Sequence, residues 1–196
     1  MRPVLLASTS AVRLRMLTNA GLTVRAVPSH VTEAIPANPQ NVTQVVEDLA
    51  LAKARAVFEQ NPGHIVIGAD QLAFDPDAPH DPFGKPRDPD DHLARLKALR
   101  GKSHVLVTGF AILEAETTII DHDITTMHVR ADLSDEELAA YVATQEGSGC
   151  AAGYAAEGRG GFLFERIDGD FFNVLGLPVL KVITALRTLG WRATNG

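Results

Sequence analysis

The segment Ser103 to Ala131, SHVLVTGFAILEAETTIIDHDITTMHVRA, alternates apolar and polar residues and is rich in β-branched side chains. That pattern makes strands, and its length makes a long hairpin. A hairpin this long leaves an apolar face that other elements must cover. The remaining chain supplies them. Apolar strands are expected at Pro3–Ala7, in TVRAVPS, in HIVIGADQLAF and at Phe162–Ile167. Helical spacing of apolar residues occurs at Val12–Ala20, Val42–Asn61, His92–Leu99 and Pro178–Leu189. Ser134 with Glu137 three residues on forms a capping box that opens another helix. Asn41 matches a glycosylation sequon but reads as a helix start. EAIPANPQN and DPDAPHDPFGKPRDPDD are too rich in proline for regular structure. Strands alternating with helices, plus one hairpin, indicate a mixed α/β fold, and 196 residues without a linker indicate a single domain, 1–196.

Composition excludes several functions. The net charge of -6 argues against general binding to nucleic acid polymers. Cys150 is the only cysteine, so neither a disulfide framework nor a thiolate zinc site is available. A reducing, cytoplasmic location is expected. No segment has the ~20 apolar residues of a membrane span, and the apolar run at the N-terminus is too short for a signal peptide.

The candidate chemistry starts at LLASTSAVRLRML. A strand that runs through Ser8, Thr9 and Ser10 into a helix presents free amides and the positive end of the helix dipole. Small hydroxyl residues let a phosphate come close, and Arg13 can add a charge-assisted contact. The alternative is that Ser10 merely caps the helix while Arg13 and Arg15 are solvated. In GADQ, Asp70 follows an apolar run and is costly to bury unless paired or metal-bound. It reads as a strand-end carboxylate that binds Mg²⁺ or activates water, or else as a turn residue. Lys85 in GKPRD lies between glycine and proline. Lys53 can turn inward from its helix, and Glu33 lies in the loop after the second strand. Each of these charges alone reads as solvated; together they make the inventory of metal-assisted phosphate chemistry. GKS at Gly101–Ser103 is not a P-loop, because position 96 is Leu96 where that motif needs glycine. The acid- and histidine-bearing DPDAPHDP and DPDDH read as solvated loop.

The motifs LLASTSAVRLRML, GADQ, GKPRD, LRGKSHVLVTGFAI and AAEGRGGFLFERIDGDFFNVLGLPV, in this order and spacing, resemble the Maf family of nucleoside triphosphate pyrophosphatases over essentially the whole chain. The resemblance implies a fold like that of the inosine triphosphate pyrophosphatases: an elongated mixed sheet flanked by helices, in two lobes with a central cleft. It implies cleavage between the α- and β-phosphates of a nucleoside triphosphate, assisted by a divalent cation, Mg²⁺ or Mn²⁺, and a homodimer. By resemblance Ser8, Ser10 and Arg13 belong to the phosphate loop. Glu33, Lys53, Asp70 and Lys85 line the catalytic cleft, Asp70 is the base for the attacking water, and Glu33 and Asp70 hold the metal. The family usually has proline and often a further arginine where this chain has Ala11 and Val12. The expectation is that the helix start survives, with weaker hold on the triphosphate.

Two positions bear on the base. Gln71 and Glu157 resemble the family branch acting on 7-methyl-GTP more than the dTTP/UTP branch. A carboxylate suits the paired donors of guanine, and an amide suits a pyrimidine imide. Phe74, Tyr154 and Phe172 are candidates for stacking on the base. The expected substrate is 7-methyl-GTP; the alternatives are dTTP or UTP, or a nucleotide-binding regulator of cell division without turnover.

Overall fold

The hairpin forms two neighbouring strands of a six-stranded sheet in the computed structural model, which describes residues 2–35, 41–79 and 81–193. Strands β1 (Val4–Leu6), β2 (Val24–Ala26), β3 (Ile65–Phe74), β4 (Ser103–Glu114), β5 (Thr117–Val129) and β6 (Phe164–Asp168) lie in the order β2-β1-β3-β4-β5-β6. β1 is parallel to both β2 and β3, and every later pairing is antiparallel. The helices are α1 (Ala11–Asn19), α2 (Val42–Phe58), α3 (Pro89–Leu99), α4 (Asp135–Ala143), α5 (Phe171–Val174) and α6 (Val179–Thr188). No helix among the described residues is long and apolar enough to cross a membrane.

The helix signals act as their chemistry requires. Asn41 accepts from the Gln44 amide and starts α2. Ser134 and Glu137 complete the capping box of α4. Asp88 caps α3 and Pro89 takes its first turn, so that helix begins earlier than the apolar spacing suggested. Pro178 stands immediately before α6 and makes no side-chain cap. Residues 159–163 form a 3-10 turn, which delays β6 to Phe164. The short helix α5 carries no periodicity that four residues could display.

One face of the sheet is covered by α2. Gly68 and Gly109, on the neighbouring strands β3 and β4, lie directly beneath it. A Cβ at Gly68 would stand 2.2 Å from the Ala50 carbonyl oxygen, and one at Gly109 2.5 Å from the Val46 carbonyl carbon. Glycine is required there for close approach of two backbones. The other face carries two apolar clusters. Ile67, Ala69 and Phe110 pack under α1 and α6, while Ala73 and Leu106 pack with Leu138, Tyr141 and Tyr154 beneath α3 and α4. Since side chains alternate along a strand, Gln71 and Thr108 fall between the clusters. This division of the packing, with a cleft at its boundary, corresponds to the expected two lobes.

The cleft is positioned by the sheet order. From β1 the chain passes to β2 on one side and then to β3 on the other, so the order reverses at β1. In open α/β sheets ligands bind beyond the strand ends at such a point. Here β1 ends at Leu6, with a last rung from the Ala7 amide to the Ile67 carbonyl at 2.8 Å. β3 continues past it, with a free edge until the bridge between Ala73 and Phe83.

Candidate active site

All nine residues expected at the site line one cavity of about 700 Å³ at this free edge. Ser8, Ser10 and Arg13 come from the β1–α1 junction, Lys53 from α2, and Asp70 and Gln71 from β3. Glu33, Lys85 and Glu157 enter on loops. Arg15 is exposed and is not part of the lining. Asp70 is not at a strand end. It lies within the continuous ten-residue β3, and the approach to it is open because β1 has already stopped.

The buried centre is an ionic cluster. Lys53 projects from the α2 face packed over Gly68, and its Nζ donates to Glu33 Oε1 at 2.6 Å and to Asp70 Oδ1. The lysine and Asp70 side chains are 7% and 10% exposed, whereas Glu33 is 58% exposed. Burying two charges is tolerable because each meets its opposite directly. The carboxylates are driven apart in acidity. Burial raises the Asp70 pKa above its ordinary value, against the opposing pull of Lys53 and Arg13. The hydrogen bond from Lys53 holds Glu33 below its ordinary value. A pair separated in this way supplies a proton acceptor and a persistent anion.

Arg13 lies across the free edge of β3. Its Nη1 donates to the Ala69 carbonyl at 2.8 Å. Gly176, with φ of +94°, passes beneath the guanidinium, where a Cβ would stand 3.2 Å from Nε. Burial lowers the Arg13 pKa, and Asp70 and Glu33 oppose this. Ser10 does cap α1, accepting from the Arg13 amide at 3.3 Å, and Ser8 Oγ accepts from the Ser10 amide at 3.1 Å. The cap reading and the anion-site reading are therefore compatible. The cap organises the turn, and the first amides of α1 have no partner within the helix. Ala11 and Val12 support this start without proline.

The resemblance implies a divalent cation, and the donors fit one of a particular kind. Glu33 Oε1 and Asp70 Oδ1 converge on one atom, Lys53 Nζ. Among the described residues no group of three or more histidine, cysteine or acidic side chains converges to form a metal cage. Two carboxylates, completed by substrate phosphate oxygens and water, suit Mg²⁺. The solvated-loop reading of DPDDH is overturned: Asp88 caps α3 and Pro89 to His92 form its first turn. His92 is buried, and its Nε2 donates to the Gly153 carbonyl at 2.5 Å. His80 lies outside the described residues, as do prolines 36 and 39 of the proline-rich loop.

Of the three stacking candidates only Tyr154 lines the cleft; Phe74 packs with Val46 and Leu72, and Phe172 is partly exposed elsewhere. Thr108, Asn173 and Gly176 went unrecognised as contributors. The last two stand in FFNVLGLP, where a lone polar residue in an apolar run was the available signal.

Comparison with known proteins places the chain among its relatives. The chain is 37% identical over 187 residues to a dTTP/UTP pyrophosphatase of Aquifex aeolicus, covering 95% of each chain. It is 35% identical over 191 residues to a dTTP/UTP pyrophosphatase of a Geobacillus species, covering 97% of this chain and 100% of the relative. Among solved structures, the Staphylococcus aureus Ham1 protein matches 66% of this chain and 73% of its own, at a TM-score of 0.47 and 12% identity. The profile described as Maf-like protein matches residues 3–189, and with these relatives it establishes that the chain belongs to the Maf family.

Proposed function

We propose that this chain hydrolyses nucleoside triphosphates to the monophosphate and pyrophosphate, with dTTP and UTP as its substrates. The observation that carries the reaction is the buried Glu33–Lys53–Asp70 cluster, which shares one cleft with Arg13, Lys85 and the start of α1. The triphosphate lies along the α1 start, where unpaired amides, Arg13 and Lys85 offset its charge. Lys53 holds Asp70 through Oδ1, which leaves Oδ2 to take the proton of the attacking water. Burial raises the pKa of Asp70 and so strengthens it as that base. The water oxygen forms a bond to the α-phosphorus. The bond from that phosphorus to the α–β bridging oxygen breaks, and pyrophosphate leaves. A divalent cation held by Glu33 and Asp70 supplies charge neutralisation at the phosphates when bound. Glu33, kept ionised by Lys53, remains an anion throughout.

The choice of dTTP and UTP is supported by the names of the relatives over nearly full length. It replaces 7-methyl-GTP, which Gln71 and Glu157 favoured in the sequence. One observation keeps 7-methyl-GTP as the second reading: the Glu157 carboxylate lines the same cleft, where it can accept from the paired donors of guanine.

The test is a panel of dTTP, UTP, CTP, GTP and 7-methyl-GTP with Mg²⁺ or Mn²⁺, scored for pyrophosphate against phosphate. Pyrophosphate from dTTP and UTP, falling roughly 10²–10⁴-fold in Asp70→Asn, is the expected result. Strongest release from 7-methyl-GTP would transfer the assignment to the second reading. No release from any nucleotide would leave a binding role.

A further inference from the structure

Asp70 and Gln71 are successive residues of β3, so their side chains leave opposite faces of the sheet. Asp70 enters the charged half of the cleft with Lys53 and Glu33. Gln71 enters the half walled by Leu106, Tyr154 and Val174, all members of one apolar cluster. A flat base suits this second half, and a triphosphate suits the first.

The Gln71 amide is held in one orientation. Its Nε2 donates to the Asn173 backbone carbonyl at 2.7 Å and to Thr108 Oγ1 at 3.0 Å. A backbone carbonyl only accepts, so the nitrogen of the amide must be on that side. The Thr108 hydroxyl enforces the same polarity: it donates to the Asn173 carbonyl at 3.4 Å and offers its lone pairs to Gln71. Asn173 is itself immobilised. It is fully buried, and its Nδ2 donates to Thr125 Oγ1 at 2.9 Å. Rotating the Gln71 amide would set oxygen against oxygen inside a packed wall. Among the described residues no donor reaches Gln71 Oε1, which is left to the cleft.

We infer that Gln71, clamped by Thr108 and Asn173, is an obligate acceptor that selects bases carrying a ring N–H (uracil, thymine and guanine) against cytosine and adenine, whose corresponding ring nitrogen is itself an acceptor. This rests on the proposed placement of a nucleotide in the cleft. Two acceptors held face to face cannot share a proton, and neither can reorient to relieve the mismatch. Thr108 and Asn173 are positioning residues that act through Gln71. The selection accounts for what the two substrate readings share, since uracil, thymine and 7-methylguanine with its ring N–H intact all present such a donor.

The experiment is calorimetric titration of the full chain with UMP and with CMP, in wild type, Gln71→Met, Thr108→Val and Thr108→Ser. Wild type should bind UMP at least about tenfold more tightly than CMP. The preference should vanish in Gln71→Met, fall at least about threefold in Thr108→Val, and return in Thr108→Ser, which restores the hydroxyl. If Thr108→Val does not fold, Gln71→Met, at a cleft-lining position, still decides. Equal binding of UMP and CMP by wild type, a preference that survives Gln71→Met, or binding of neither nucleotide overturns the inference. Pyrophosphate release is measured separately. A protein that prefers UMP through Gln71 but releases no pyrophosphate loses the proposed reaction and keeps the selection. One that hydrolyses UTP and CTP alike keeps the reaction and loses the selection.

Discussion

Gly68→Ala tests whether the catalytic cluster depends on the close seating of α2. The added Cβ would stand 2.2 Å from the Ala50 carbonyl oxygen and 2.7 Å from the Ala54 amide nitrogen. Ordinary contact begins at 3.4 Å, so the helix backbone must recede by about 1.2 Å. Both obstructing groups are backbone, and no rotamer change relieves them. Gly109 seats α2 equally tightly on the neighbouring strand, so the helix cannot settle closer there as it lifts at Gly68. Lys53 lies between Ala50 and Ala54 and moves with them, drawing its ammonium away from Asp70. Overpacking of this kind costs about 1–3 kcal/mol. Misplacing a catalytic group by about 1 Å can reduce the rate on the order of 10²-fold. Urea denaturation measures the first quantity, and kcat/KM for pyrophosphate release measures the second. Gly84→Ala is the stability control, since nothing lies within 4 Å of its Cβ position. A Gly68→Ala protein as stable and as active as wild type would refute the claim that these glycines set the geometry of the site.

Three other perturbations address the rest of the molecule. Burial lowers the pKa of His104 from 6.5 to about 4, so the folded state favours the neutral ring; its contribution is present above pH 6.5 and is lost as pH falls towards 4. The loss between pH 7 and pH 5 is about 2 kcal/mol, and His104→Gln should flatten that part of the pH dependence of urea stability; an unchanged slope would place the acid sensitivity elsewhere. Gly176→Ala combines a φ of +94° with a Cβ 3.2 Å from Arg13 Nε; it should displace the guanidinium and raise KM for the triphosphate about tenfold or more, and an unchanged KM would remove Arg13 from the phosphate site. Chelation of divalent cations should abolish pyrophosphate release but leave the melting temperature unchanged within error, because Lys53 bridges Glu33 and Asp70 in the fold without a cation and Arg13 adds a second positive charge nearby; a large fall in Tm would show that the cation is structural.

Much of the architecture is local in origin and therefore legible. The β4–β5 hairpin follows from alternation, and α2 and α4 follow from apolar spacing and the caps Asn41 and Ser134. Element ends were less legible, because 3-10 turns, and caps outside the apolar spacing, displace them by a few residues, as at Phe164 and Pro89. The charged residues of the site were legible only as a combined inventory, since each alone reads as a solvated charge. Their partners were not. That Lys53 bridges Glu33 and Asp70 depends on how closely α2 packs, and the glycines that permit it are far apart in the chain.

The polar seam of Gln71, Thr108 and Asn173 shows the same limit most plainly. Residues 71, 108 and 173 belong to different elements, and a hydrogen bond between two of them has no signature in either segment alone. Sequence by itself determined which segments become strands and helices and which side chains carry charge, because those properties belong to short stretches of chain. Only the tertiary structure decided that β1 stops short of β3 and opens the cleft, that Asp70 is buried against an ammonium, and which way the Gln71 amide points. Those outcomes come from close packing and from satisfying buried polar groups, and both are settled between segments rather than within them.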